Sequence, residues 1–307
     1  MNQRKYLIGI PIIVFFFSLV SCSVVNSQEN SNVLSQDFKD YWYDGEAELT
    51  RYDLEQVRYG EIHHGDAVLI FVTEDFLKDE HVKYESSAPN KDATSVLKLN
   101  FTRKFITGIY PYSVMSSIFT PVDQSPTLKI TTSSQEWCGH TYMQVNYQKN
   151  KYRLMLHSYF QKEADREDNL DAGELEDAIW TQIRLDPSKL KTGSIELIPG
   201  TQFLRFSHRK AAIEKASASL ESVSDPTLSS RPLSQYRIEY QNIQRVLQIT
   251  FESEFPYQIM AWEEQTQNGL GDPNVLTTRA VRTHSIKSPY WDQHSTADTV
   301  LRKRLGL

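Results

Sequence analysis

From Phe38 to Arg282 the chain repeats one motif: a short run of alternating or continuous apolar and β-branched residues, a turn signal, then another run. About a dozen such runs follow one another by the alternation rule. No regular β-helix-β order separates them, which favours an antiparallel sheet over a parallel α/β fold. The expectation is a mainly β chain, an antiparallel sheet closed or nearly closed into a barrel, with one or two short packing helices.

The runs differ in character. Ala47, Leu49, Tyr52, Leu54 and Val57 alternate imperfectly with charged residues. Residues 67–72 are continuously apolar and read as a central strand, with His64-Gly65-Asp66 as the turn before it. Leu97, Leu99 and Phe101 face one side, and Lys98 and Asn100 the other. Residues 141–147 and 152–160 form a hairpin pair about Gln148 to Lys151. Strands are expected at 194–198, 201–207, 236–240, 245–252, 257–265 and 275–282. Residues 211–220 fit a helix as well as an edge strand. Residues 267–273 read as a loop.

The helical signals are fewer. Residues 38–43 read as a helical turn plugging one end of the core. Ser295 and Asp298 have capping-box spacing before a terminal helix ending near Arg304. Residues 173–184 place Leu175, Ala178, Ile179 and Ile183 on one helical face, with Glu176 on the exposed side, and Pro187 stops the run. A strand is the rival, since Ile179, Ile183 and Leu185 also fit period two; the helix is favoured. The acidic stretch before it, 161–177, reads as a solvated loop. Asp165, Glu167 and Asn169 alternate as calcium ligands would, but Leu170 stands where the calcium loop needs glycine.

The N-terminus reads as an address. Arg4 and Lys5 precede an apolar run from Leu7 to Val20, too short for an ordinary transmembrane span and suited to a secretory leader. It ends in Leu19-Val20-Ser21-Cys22, which resembles the lipobox of bacterial lipoproteins. The resemblance implies cleavage before Cys22 and lipid on its thiol. The expected organisation is a leader over 1–21, a lipidated cysteine and polar tether over 22–36, and a single β-rich domain over 37–307. Cys138 is then the only free thiol, so a disulfide within the chain is excluded and stability must come from a core. Net charge is −6, and −8 once Arg4 and Lys5 are removed, which argues against a nucleic-acid partner. The expected partner is the membrane, through Cys22, with an apolar ligand or an envelope protein besides. Ser23 after the cysteine points to the outer membrane by the enteric sorting rule.

With that leader, the Trp137-Cys138-Gly139-His140 stretch and the ending Tyr290-Trp291 to Leu305-Gly306-Leu307, the chain resembles a group of uncharacterised Gram-negative lipoproteins. That group often carries the label "septum formation inhibitor Maf". Maf nucleotide pyrophosphatases have an α/β fold and a Ser-x-Ser-x-Arg-Arg motif after their first strand. Here Ser229-Ser230-Arg231-Pro232 is late and incomplete, so the resemblance implies no pyrophosphatase activity and no cofactor.

Cys138 and His140 are the one candidate catalytic pair. At i and i+2 of a strand they would share a face, about 6.5 Å apart. A thiolate–imidazole nucleophile needs that neighbourhood, but also an orienting group and an oxyanion hole, and neither is legible. The competing reading is a buried structural thiol and a hydrogen-bonded histidine. His63 and His64 point to opposite faces of an extended chain and do not form a metal pair. The 16 Tyr, 14 Phe and 5 Trp can pack a core or line an apolar cavity. Two functions stay open: a non-enzymatic envelope lipoprotein, binding or structural, and an extracytoplasmic hydrolase with its site near Cys138 and His140.

Overall fold

The computed structural model describes residues 1, 34–267 and 275–307. The leader, Cys22, the tether to residue 33 and most of the 267–273 loop lie outside them. From Leu34 onward the chain is one unit. Helix α1 (Gln36–Trp42) comes first. The sheet then begins with β1 (Ala47–Arg58), β2 (Glu61–Leu77), β3 (Val82–Lys83), β4 (Ala93–Thr107) and β5 (Tyr110–Pro121). It continues with β6 (Lys129–Glu136), β7 (Gly139–Gln148), β8 (Lys151–Ser158) and β9 (Arg166–Asp171). After the two-residue β10 (Glu174–Leu175) come α2 (Glu176–Leu185), β11 (Gly193–Ile198) and α3 (Thr201–Ser207). Strands β12 (Glu214–Val223), β13 (Leu233–Tyr240), β14 (Arg245–Glu252), β15 (Ile259–Gln267) and β16 (Val275–Ser288) follow, and α4 (Thr299–Arg304) ends the chain.

All the strands join one mainly antiparallel sheet. Its order runs from β10 through β16 to β1, β2 and β4, and on to β9, with β3 beside β2. The pairing of β16 with β1, from Ala47↔Ser288 to Glu55↔Arg279, lies near the middle of this order. The outer edges are therefore β9 and β10. Only Ala172 and Gly173 separate them in sequence, yet no ladder joins them among the described residues. The barrel is continuous in its chain and open in its hydrogen bonding along this seam.

Alternation builds the interior. Leu97, Leu99 and Phe101 on β4, Leu247, Ile249 and Phe251 on β14, and Tyr52 and Leu54 on β1 all face one core. Helix α2 runs through that core, with Ile179, Trp180 and Ile183 buried among the strands. Phe38 and Trp42 of α1 close one end, as the residue pattern predicts. On the outer face, Leu305 packs on Ala47, Leu49, Val68 and Val72. Ser295 and Asp298 form the expected capping box, on a 3₁₀ turn leading into α4. No described helix is long and apolar enough to cross a bilayer.

Several expectations change. His64-Gly65-Asp66 lies within β2; the turn is Tyr59-Gly60, both at positive φ. Gly65 is there for proximity: a Cβ would fall 2.1 Å from the Lys104 carbonyl oxygen on β4. Residues 201–207 are helix, not strand. Thr201, Gln202 and Arg205 are buried along with Phe203 and Leu204, so α3 has no exposed polar face to mark it as a helix. Part of the acidic stretch is edge strand β9, held to β8 by cross-strand pairs such as Arg153–Glu167 at 2.8 Å. The ambiguous 211–220 segment becomes β12. Glu176 is not on an exposed face: α2 sits inside the barrel and Glu176 is buried.

Candidate functional site

Cys138 is not buried. Trp137 and Cys138 form the two-residue turn between β6 and β7, and the thiol is exposed. The Glu136 carboxylate accepts a 2.5 Å hydrogen bond from the Cys138 backbone N–H. The same carboxylate, accepting from the thiol, holds the thiol pKa above the ordinary cysteine range. A nucleophilic cysteine needs the opposite shift. His140 is exposed on β7, cross-strand from Gln135, and no contact joins it to Cys138 among the described residues. A turn residue does not share a strand face with its neighbour, so the i, i+2 argument does not hold here.

The barrel interior is polar where α2 and α3 meet the strands. At one end, Arg184 of α2 makes two hydrogen bonds to Glu48 of β1, at 2.5 and 2.6 Å, and a third to the Pro256 carbonyl. Its guanidinium lies over the rings of Trp42 and Phe71. Tyr41 also donates to Glu48. Burial pushes the Glu48 carboxyl up, but Arg184 and the Tyr41 hydroxyl outweigh it and leave it lowered.

Farther along, a ladder crosses the barrel. Glu176 accepts from Tyr240 at 2.6 Å and from Arg245. Arg245 reaches Glu264 at 3.1 Å, Glu264 pairs with Arg103, and Arg103 donates to Gln56. Burial works against ionised Glu264, but Arg103 and Arg245 hold its pKa down to about 2. Asp177 is the exception. Burial pushes its carboxyl up to about 6, with adjacent Glu176 adding to the rise, although Thr201 donates to it from both backbone N–H and hydroxyl at 2.8 Å. These groups pair largely with one another, although the Nε of Arg103 is buried without a partner.

Space exists at the seam. Where β9 fails to reach β10 and β11, a groove of about 1130 Å³ opens. Its apolar floor includes Tyr152, Leu175, Leu185 and Ile195, all buried in the wall. Ala178, on the side of α2 turned to the seam, also lines it. Its rim carries both charges, with Asp171, Glu174 and Glu196 against Lys189, Lys191 and Lys215. The Oε1 of Gln124 is buried in the same wall without a hydrogen-bond partner. Sequence reasoning missed this site, because a groove made where a sheet fails to close has no local pattern. The nearest signal was Ala172-Gly173, two small residues at the end of the acidic stretch read as a loop, where no ladder joins the strands on either side among the described residues.

Comparison of the chain with protein-family models, curated proteins and solved structures gives no match. No described residues cluster as a metal site.

Proposed function

We propose that this chain is a lipid-anchored envelope protein that binds a ligand in the seam groove and does not transform it. The groove carries the reading. It is large enough for a small organic molecule, with an apolar floor and a rim rich in polar and charged side chains, so it can take a molecule with both apolar and polar parts. No nucleophile–base pair lines it. The mixed rim and the unpaired Gln124 acceptor favour an elongated amphiphile, with an apolar body and a polar end that can donate a hydrogen bond. The leader, the Leu19-Val20-Ser21-Cys22 run and the likeness to Gram-negative lipoproteins support anchoring through Cys22 at the outer membrane.

Two measurements test the halves separately. Metabolic labelling with a radioactive fatty acid is expected to mark the wild-type chain and not Cys22→Ala; equal labelling of both removes the anchor. A dansyl-labelled undecanoic acid is expected to bind saturably with a rise in fluorescence. Ala178→Trp, which fills the groove, is expected to weaken that binding about tenfold or more, the loss of roughly 1.4 kcal/mol. Unchanged binding by Ala178→Trp, or none by the wild type, removes the groove as the site for such an amphiphile.

A further inference from the structure

The strand ends opposite α1 carry an apolar surface that neither the core nor the groove uses. Four neighbouring hairpins end there: β1–β2, β4–β5, β6–β7 and β8–β9. At or beside their tips stand Ile106, Ile109, Trp137 and Tyr159, with 60, 79, 69 and 71% of their surface exposed. Tyr59 and Ile62 are exposed beside them. These tips are joined. Tyr110 stacks on Trp137 at 6.3 Å and donates to the Tyr59 hydroxyl at 3.1 Å. The Tyr159 ring lies so close over Gly139 that a Cβ there would be 2.6 Å from it. Behind them Arg58 fixes the tips to α3, donating to the Phe206 carbonyl at 2.6 Å and lying over the Tyr59 ring. Tyr59, Tyr110 and Trp137 are therefore held together before anything binds, and Ile106 and Ile109 are exposed on the hairpin that carries Tyr110. Large apolar side chains exposed together in this way mark a contact.

We infer that this face docks on a lipid bilayer and prefers anionic headgroups. Three features favour lipid over a protein partner. Trp and Tyr at projecting tips suit the membrane interface, where one end of the ring is apolar and the other wet. The side chains stand at or beside hairpin turns, and a bilayer needs no complementary shape. Lys104, Lys162 and Arg209 are exposed around them, although the whole chain is acidic at −6. The acids at this end are Glu61, which is exposed, Asp66, which lies cross-strand from Lys104, and Asp165 and Glu163, which His157 and His208 engage. Only eleven residues separate Cys22 from Leu34, about 40 Å when extended, which keeps the fold near any membrane that holds Cys22. The docking inference stands without that anchor.

Cys138 supplies the probe, being exposed and next to Trp137. In the otherwise full-length Cys22→Ala chain it is the single thiol and can carry a nitrobenzoxadiazole fluorophore. Vesicles of equimolar phosphatidylcholine and phosphatidylglycerol are expected to shift its emission to the blue and raise its intensity. Pure phosphatidylcholine is expected to give a smaller shift. Ile109→Asp is expected to abolish the shift without changing the thermal transition, since Ile109 lies outside the core. No shift with either vesicle while the chain still co-sediments with them overturns the proposal, because the tips are then not in contact with lipid. A shift unaffected by Ile109→Asp overturns it too, since the fluorophore alone is partitioning. A shift that needs no vesicles but grows with protein concentration overturns it in favour of a second copy of the chain. Equal shifts with the two vesicles overturn the headgroup preference.

Discussion

Lysine in place of Glu176 is expected to destabilise the fold by about 3–5 kcal/mol, at least as much as aspartate in place of Ile179. The new cation would face Arg245 and take the acceptor away from both Arg245 and the Tyr240 hydroxyl. The Tyr240 hydroxyl would lose its acceptor, Arg245 would keep only Glu264, and the new ammonium would be buried without a partner in a medium that screens it poorly. Glu176→Gln, which keeps an acceptor but loses the charge, should fall between wild type and lysine. Urea denaturation of the three variants checks this. A cost near 0.5 kcal/mol for Glu176→Lys, the level of an ordinary surface change, would mean that the ladder does not support the core.

The second large effect is expected at Arg184. Methionine there removes both hydrogen bonds to Glu48 and strands its carboxylate inside the barrel, at a cost of about 3–5 kcal/mol. The double variant Glu48→Gln/Arg184→Met should recover much of that loss, since no unpaired charge remains. If the double variant is as unstable as the two single losses added together, the pair is not coupled. The same pair sets a response to acid. Glu48 has a folded-state pKa below its ordinary 4.5, so its contribution is present above that pH. It is lost as pH falls from there through the lowered value. Acid unfolding of the double variant should therefore be less steep below pH about 4.5 than that of wild type.

The strands were legible because inward residues keep period two. That pattern also held the buried charges, although they read as imperfections. Arg103 lies in phase between Phe101 and Phe105, and Arg245 in phase with Leu247, Ile249 and Phe251. What could not be read locally was the partner that makes such a position tolerable. Glu176 is buried because of Arg245, 69 positions away. The apolar stripe of Leu175, Ile179 and Ile183 looks the same for a helix on a sheet as for one inside a barrel. Cys138 was misplaced for a different reason: a small thiol between two strands is buried if the strand continues and exposed if it turns, and Trp137-Cys138 carries no glycine, proline or asparagine to announce the turn.

The ladder between β16 and β1 also governs when this fold can form. Thr50 and Ser285, 235 positions apart, share a hydroxyl hydrogen bond across it. Strand β1 must therefore wait, with one edge unpaired, until nearly the whole chain has been made. Pairing at such separation carries a large loop-closure cost and slows folding. For a chain that crosses a membrane before it folds, as proposed here, that delay is useful. Under that proposal the β1–β16 registration would be gained only after the last strand had passed through.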